Sequence, residues 1–127
     1  MGHALIIDDN AKNVDVLARL LRMQGVNSTT VLRPAQLEPV LQDIDAVDVV
    51  FLDLEMPGAN GYEVLDRLKL DSRFRSVPMV AYTVHISEIT VAHQQGFHSF
   101  LGKPLDADKF PDQLSRILHG QPVWETP

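Results

Sequence analysis

The sequence predicts an α/β fold built on an open, doubly wound parallel sheet. Three observations carry that expectation. Four short apolar runs are nearly continuous rather than alternating, as strands covered on both faces are. The segments between them place apolar residues at helical spacing. Strand and helix patterns therefore alternate about five times along the 127 residues, with no internal repeat or interdomain linker.

The elements follow in order. ALII (4–7) reads as the first strand. Val14, Leu17, Ala18 and Leu21 then repeat at i, i+3, i+4 and i+7, and Gly25 supplies a stop signal. VNSTTV (26–31) is polar-rich, which suits an edge strand. PAQLEPVLQDI (34–44) is helical in pattern, but the Pro39 ring would break an interior hydrogen bond, so a short, kinked or late-starting helix is expected. VDVVFL (47–52) forms the third strand, and Asn60-Gly61-Tyr62-Glu63 resembles a capping box opening a helix through about Leu70. VPMVAY (77–82) is the fourth strand. Residues 86–95 are weakly amphipathic and predict the loosest helix. SFLG (99–102) is the last strand, and Phe110, Leu114, Ile117 and Leu118 stripe a final helix over 106–118, with Gly120 beyond. The domain is expected to occupy 1–120, with QPVWETP (121–127) as a carboxyl-terminal tail, packed on the domain or disordered.

Composition narrows the function classes. Forty-five per cent hydrophobic and 22% charged residues describe an ordinary globular domain. The net charge is −6 with no basic block, which argues against direct nucleic-acid binding. Without cysteine there is neither a disulfide scaffold nor thiolate chemistry. No apolar stretch approaches the roughly 18–20 residues that span a bilayer. MGHALIIDDN lacks a positive leader, so a cytoplasmic location away from membranes is expected.

The polar residues fall at the strand ends. Asp8 and Asp9 follow the first expected strand, Asp53 the third, Thr83 the fourth and Lys103 the fifth. Ligands of open α/β sheets bind outside the carboxyl ends of strands, so side chains from four separate segments converge on one edge. Clustered carboxylates repel one another, and a hard divalent cation, Mg²⁺ (or Mn²⁺), relieves that repulsion. Lysine and hydroxyl complete a site that holds a phosphoryl group, and one carboxylate could itself accept it. Taken singly, each residue has a plainer explanation: an aspartate caps a helix, a lysine is solvated, and Met56-Pro57-Gly58 is a turn.

DD at 8–9, DLEMPGANG at 53–61, YT at 82–83 and KP at 103–104 resemble the receiver domain of two-component response regulators. The likeness covers about residues 4–118. It implies a flavodoxin-like five-stranded sheet of order 2-1-3-4-5 with five helices. It also implies that Asp53 is the phosphoacceptor, taking a phosphoryl group from the phosphohistidine of a sensor histidine kinase or histidine phosphotransfer protein. Asp9, Asp53 and the Glu55 backbone carbonyl would bind the metal directly, and Asp8 mainly through water. Lys103 would pair with phosphoryl oxygens, and Lys103-Pro104 would be cis. Thr83 would turn toward the phosphate and Phe100 would rotate inward, switching a face over residues 86–118 toward a downstream protein or a phosphorylation-dependent homodimer.

Some positions depart from the family pattern. Phe100 stands where tyrosine is frequent, and Val84 where alanine or glycine is usual, which would narrow access to Asp53. Glu55 and His85 flank the implied path of hydrolytic water, either bridging to shield the acyl phosphate or letting His85 assist water. For His3, His93, His98 and His119, packing or surface roles outweigh function. The resemblance implies no enzyme beyond self-phosphorylation and self-dephosphorylation. Two alternatives stand beside it: a phosphate-independent interaction module, and an Asp-nucleophile phosphatase of the haloacid dehalogenase type, suggested by D-L-E. Against the second, the nucleophile belongs to the third strand rather than the first.

Overall fold

A computed structural model describes residues 2–125; Met1 and the last two tail residues, Thr126 and Pro127, lie outside the described residues. The main sheet contains β1 (Gly2–Ile7), β2 (Val26–Val31), β3 (Val49–Leu52), β6 (Met79–Thr83), β7 (Ser99–Gly102) and β8 (Trp124–Glu125). Its order is β2-β1-β3-β6-β7-β8 and every pairing is parallel. The first five strands of this order are the four expected from the apolar runs and the polar-rich edge strand, in the expected order. A small antiparallel pair, β4 (Glu55–Met56) and β5 (Ala59–Asn60), sits outside the sheet.

Five α-helices connect the strands: α1 (Ala11–Met23), α2 (Leu37–Asp43), α3 (Gly61–Lys69), α4 (Ile89–Gln94) and α5 (Phe110–Leu118). Strand alternation divides the core into two layers. Ala4, Ile6, Val49, Phe51, Val80, Tyr82 and Leu101 face one way, against Leu17 and Leu21 of α1 and Phe110, Leu114 and Ile117 of α5. Leu5, Ile7, Val50, Leu52, Ala81 and Phe100 face the other, against Leu37, Leu41, Leu65, Leu68 and Ala92 of α2, α3 and α4. Being covered on both faces, these strands have no solvent side to mark with polar residues, hence their continuous apolar runs.

Local chemistry sets the element ends. Asn10 caps α1 through its side chain, which accepts from the Asn13 N–H at 3.1 Å. Pro39 is the third residue of α2, where a missing N–H costs no helical bond, so the helix starts late and runs seven residues. The weak pattern at 86–95 yields a 3₁₀ turn (Ile86–Glu88) and a six-residue α4 whose one buried residue is Ala92.

Three features differ from expectation. The last helix begins at Phe110, not 106: Asp106 accepts the Asp108 and Lys109 amides in a turn, and Pro111 opens the helix proper. Leu118 is the last residue of α5 and is 40% exposed, turned off the buried line of Phe110, Leu114 and Ile117. The tail packs on the domain, one of its two expected states, but does so as a sixth strand added to the expected five, with Trp124 and Glu125 paired to Phe100 and Leu101. No helix among the described residues is long and apolar enough to cross a membrane.

Candidate functional site

The ladder itself delivers the site residues. Asp8 donates its amide to Val31 O at 3.1 Å, Asp53 to Ile7 O at 2.9 Å and Lys103 to Thr83 O at 2.8 Å. Each stands one residue past a strand, with its backbone still held by the neighbouring strand. Four segments thereby present Asp8, Asp9, Asp53, Thr83 and Lys103 at the carboxyl edge. Asp8, Asp53, Thr83 and Lys103 are buried, and Asp9 is exposed.

One carboxylate oxygen from each of Asp8, Asp9 and Asp53 lies within 4.8 Å of the others. The Lys103 ammonium sits 2.8 Å from Asp8 Oδ2 and 3.6 Å from Asp53 Oδ2, and 4.4 Å from the centre of the Tyr82 ring. Burial pushes the Asp53 carboxyl up to about 6; the Glu55 amide and Lys103 pull it down, and the neighbouring Asp8 raises it again. Burial likewise raises the Tyr82 hydroxyl, reinforced by the charges of Asp8 and Asp53.

Hydrogen bonds orient the individual groups. Asp53 Oδ1 accepts the Glu55 amide at 3.1 Å, and Asp8 Oδ1 accepts the Asn10 amide at 2.9 Å. The Thr83 hydroxyl accepts from the His85 amide at 3.1 Å, which leaves its own proton to donate. At the rim, His85 Nε2 meets Glu55 Oε2 at 2.8 Å, with both side chains near half exposed. Val84 is exposed beside them. Phe100 is fully buried among the α4-side core residues, and the Lys103-Pro104 peptide is cis.

Two residues near the site carried no assigned role in the sequence. Gly61 opens α3 so close to the Asp53 loop that a Cβ would stand 2.7 Å from Leu54 Cα and 2.9 Å from Asp53 O. Its place in DLEMPGANG, just after the Asn60 cap, was the available signal. Tyr82 forms the floor under Lys103, signalled by an aromatic ending an otherwise aliphatic run.

The donor set suits a hard divalent cation. Few carboxylates, two of them buried and one facing water, leave room for the waters that Mg²⁺ keeps.

Comparison with known proteins points one way. The model of the response regulator receiver domain matches residues 4–115. The sensory/regulatory protein RpfC of Xanthomonas campestris is 34% identical over 97% of this chain and 17% of its own length. The sensory transduction protein RegX3 of Mycobacterium tuberculosis is 34% identical over 93% of this chain and 51% of its own. The chain thus spans about a sixth of the one relative and about half of the other. Among solved structures, the chemotaxis response regulator CheY4 of Vibrio cholerae superposes with a TM-score of 0.81. That match covers 92% of this chain and 98% of CheY4 at 20% identity, a likeness of fold.

Proposed function

This chain belongs to the response regulator receiver domain family of two-component signalling, and from that premise we propose that it accepts a phosphoryl group on Asp53. The observation that carries the reading is the approach of Lys103 to Asp53 beside the Asp8–Asp9 pair at one sheet edge. With its carboxyl near 6, Asp53 is ionised at neutral pH while remaining more basic than a solvated aspartate.

An Asp53 carboxylate oxygen attacks the phosphorus of a phosphohistidine. The O–P bond forms, the P–N bond breaks, and the imidazole leaves with a proton taken from solvent. The donor is a sensor histidine kinase or a histidine phosphotransfer protein. Lys103 pairs with a phosphoryl oxygen, and the Thr83 hydroxyl donates to another. Asp8, Asp9, Asp53 and the Glu55 carbonyl would hold Mg²⁺ (or Mn²⁺), which supplies positive charge between the acidic nucleophile and the anionic donor.

Thr83 then links the site to Phe100 through paired β6 and β7, where Thr83 is opposite Gly102 and Ala81 opposite Phe100. Because the Phe100 ring already lies inward, phosphorylation would stabilise this packing rather than create it. The output is a changed protein-binding face over α4, β7 and α5, acting in the cytoplasm on a downstream protein or a second copy. The chain is read as a signalling module and not as an enzyme with turnover.

Intact-protein mass spectrometry tests this after incubation with Mg²⁺ and acetyl phosphate, with beryllofluoride binding followed by NMR in parallel. A single phosphoryl adduct, absent without metal and absent in Asp53→Asn, is expected. Folded protein that gives neither adduct nor beryllofluoride shift would replace this reading with the phosphate-independent interaction module.

A further inference from the structure

The carboxyl-terminal segment displays what its own sheet edge binds. Phe100 donates its backbone N–H to the Val123 carbonyl at 2.7 Å, and Val123 donates its own to Ser99 Oγ at 2.9 Å. Parallel pairing then sets Trp124 beside Phe100 and Glu125 beside Leu101. Successive side chains go to opposite faces, so each meets a different receptor. Val123 enters the α1/α5 core and is 1% exposed. Trp124 takes the α4 side, its ring 4.8 Å from that of His93, and packs on the cluster that contains Phe100. Glu125 returns to the α5 side, accepting from Gln113 Nε2 at 2.8 Å and Arg116 Nη2 at 3.1 Å.

Three chemically distinct receptors in succession thus line the β7 edge: an apolar slot, an aromatic shelf and an amide–guanidinium pair. Yet the strand that fills them is two residues long, and both its side chains are only partly buried. Holding such a strand depends on its short tether to α5, which keeps its effective concentration high. Where the tether supplies much of the affinity, an untethered segment of better complementarity or greater length displaces it.

We propose that the β7 edge is a strand-accepting site, filled in cis by Val123-Trp124-Glu125, that takes an extended segment of a partner protein by exchange. The partner segment runs parallel to β7 and carries an aliphatic residue, an aromatic and a carboxylate in succession. Main-chain pairing supplies the affinity and the alternating receptors supply the choice of sequence. Exchange replaces the cis strand over Phe100 and the flanks of α4 and α5 with the partner's own segment, so strand capture and engagement of that face are one event. It needs neither Asp53 nor a phosphoryl group.

The test uses the full chain and a fluorescein-labelled peptide, Gln-Pro-Val-Trp-Glu, read by fluorescence anisotropy. A Trp124→Ser/Glu125→Ser double variant, checked for folding by circular dichroism, has a weakened cis strand. It should bind the peptide at least about tenfold more tightly than the wild-type chain, which must first release its own strand. The same peptide with Trp replaced by Ala should not bind. Equal binding by both chains, or none by either, overturns the proposal. Amide hydrogen exchange on the wild-type chain gives a second measurement that needs no variant. The Phe100 amide should exchange at least about a hundredfold faster than the Val80 amide, because it opens locally. Equal rates would mean that the strand leaves only with global unfolding, and would sink the idea. A wild-type dimer that vanishes in the double variant would assign the edge to a second copy instead.

Discussion

The Lys103 ammonium lies 2.8 Å from an Asp8 carboxylate oxygen, with both side chains out of water. The same cation stands 3.6 Å from Asp53, so one lysine serves two buried acids. Removing one partner of such a pair leaves an uncompensated charge. Lys103→Met should therefore lose about 2–4 kcal/mol in metal-free urea titrations, and Asp8→Asn distinctly less, because it also relieves the acidic cluster. The double variant should recover part of the loss. Strictly additive single losses would show that the two groups are uncoupled.

Asp53 carries a pH dependence whose sign follows from its raised carboxyl, about 6 against an ordinary 3.8. A folded-state value above the unfolded one favours folding fully below pH 3.8, and that contribution fades as pH rises through about 6. Metal-free protein at pH 7.5 should thus be stabilised by Asp53→Asn, by at most about 3 kcal/mol. At pH 4 the gain should nearly disappear. Thermal melts at the two pH values, with a chelator present, decide the matter.

Gly61 is a packing constraint on the site. An added methyl would collide with backbone at 2.7 Å and 2.9 Å, and backbone cannot rotate away. Gly61→Ala should cost about 1–3 kcal/mol and displace the Asp53 loop, lowering Mg²⁺ affinity as well as Tm. Unchanged metal binding would show that the loop absorbs the methyl without moving Asp53.

The Glu55–His85 pair is solvent-exposed, so His85→Ala should change stability by less than about 1 kcal/mol. Its 2.8 Å bridge over the rim favours shielding, so the phosphorylated lifetime should shorten in the variant. Following the adduct by mass spectrometry over time separates this from a role of His85 in assisting water, which predicts a longer lifetime.

Val84 borders the same opening and is 59% exposed. Val84→Ala should speed labelling by acetyl phosphate several-fold without altering Tm. An unchanged rate removes the steric argument.

Local signals explain what the sequence disclosed. Four strands announced themselves because burial on both faces forces continuous apolar runs, and VNSTTV read as an edge because β2 pairs on one side only. Asp8, Asp53, Thr83 and Lys103 were legible as a group because each ends or follows a strand and parallel strands share one carboxyl edge. Periodicity failed where a neighbour decides the outcome. Leu118 continues the α5 stripe in spacing but is 40% exposed at the last residue of the helix. Trp124 and Glu125 become a strand only by pairing with residues 24 positions earlier, and two residues carry no period. The space denied to a Gly61 side chain depends on the Leu54 backbone, which no local pattern records.

The sixth strand also bears on where this domain ends. β7 reads SFLG, four buried residues without a charge or a proline, and β8 covers its outer flank. A fragment cut after the last helix, at Gly120, would present that flank as a bare row of donors and acceptors. Exposed, uncharged edges of this kind template the stacking of like chains. A chain trimmed to 1–120 should therefore precipitate where one ending beyond Glu125 stays dispersed, and that outcome would make Val123 to Glu125 a guard against self-association.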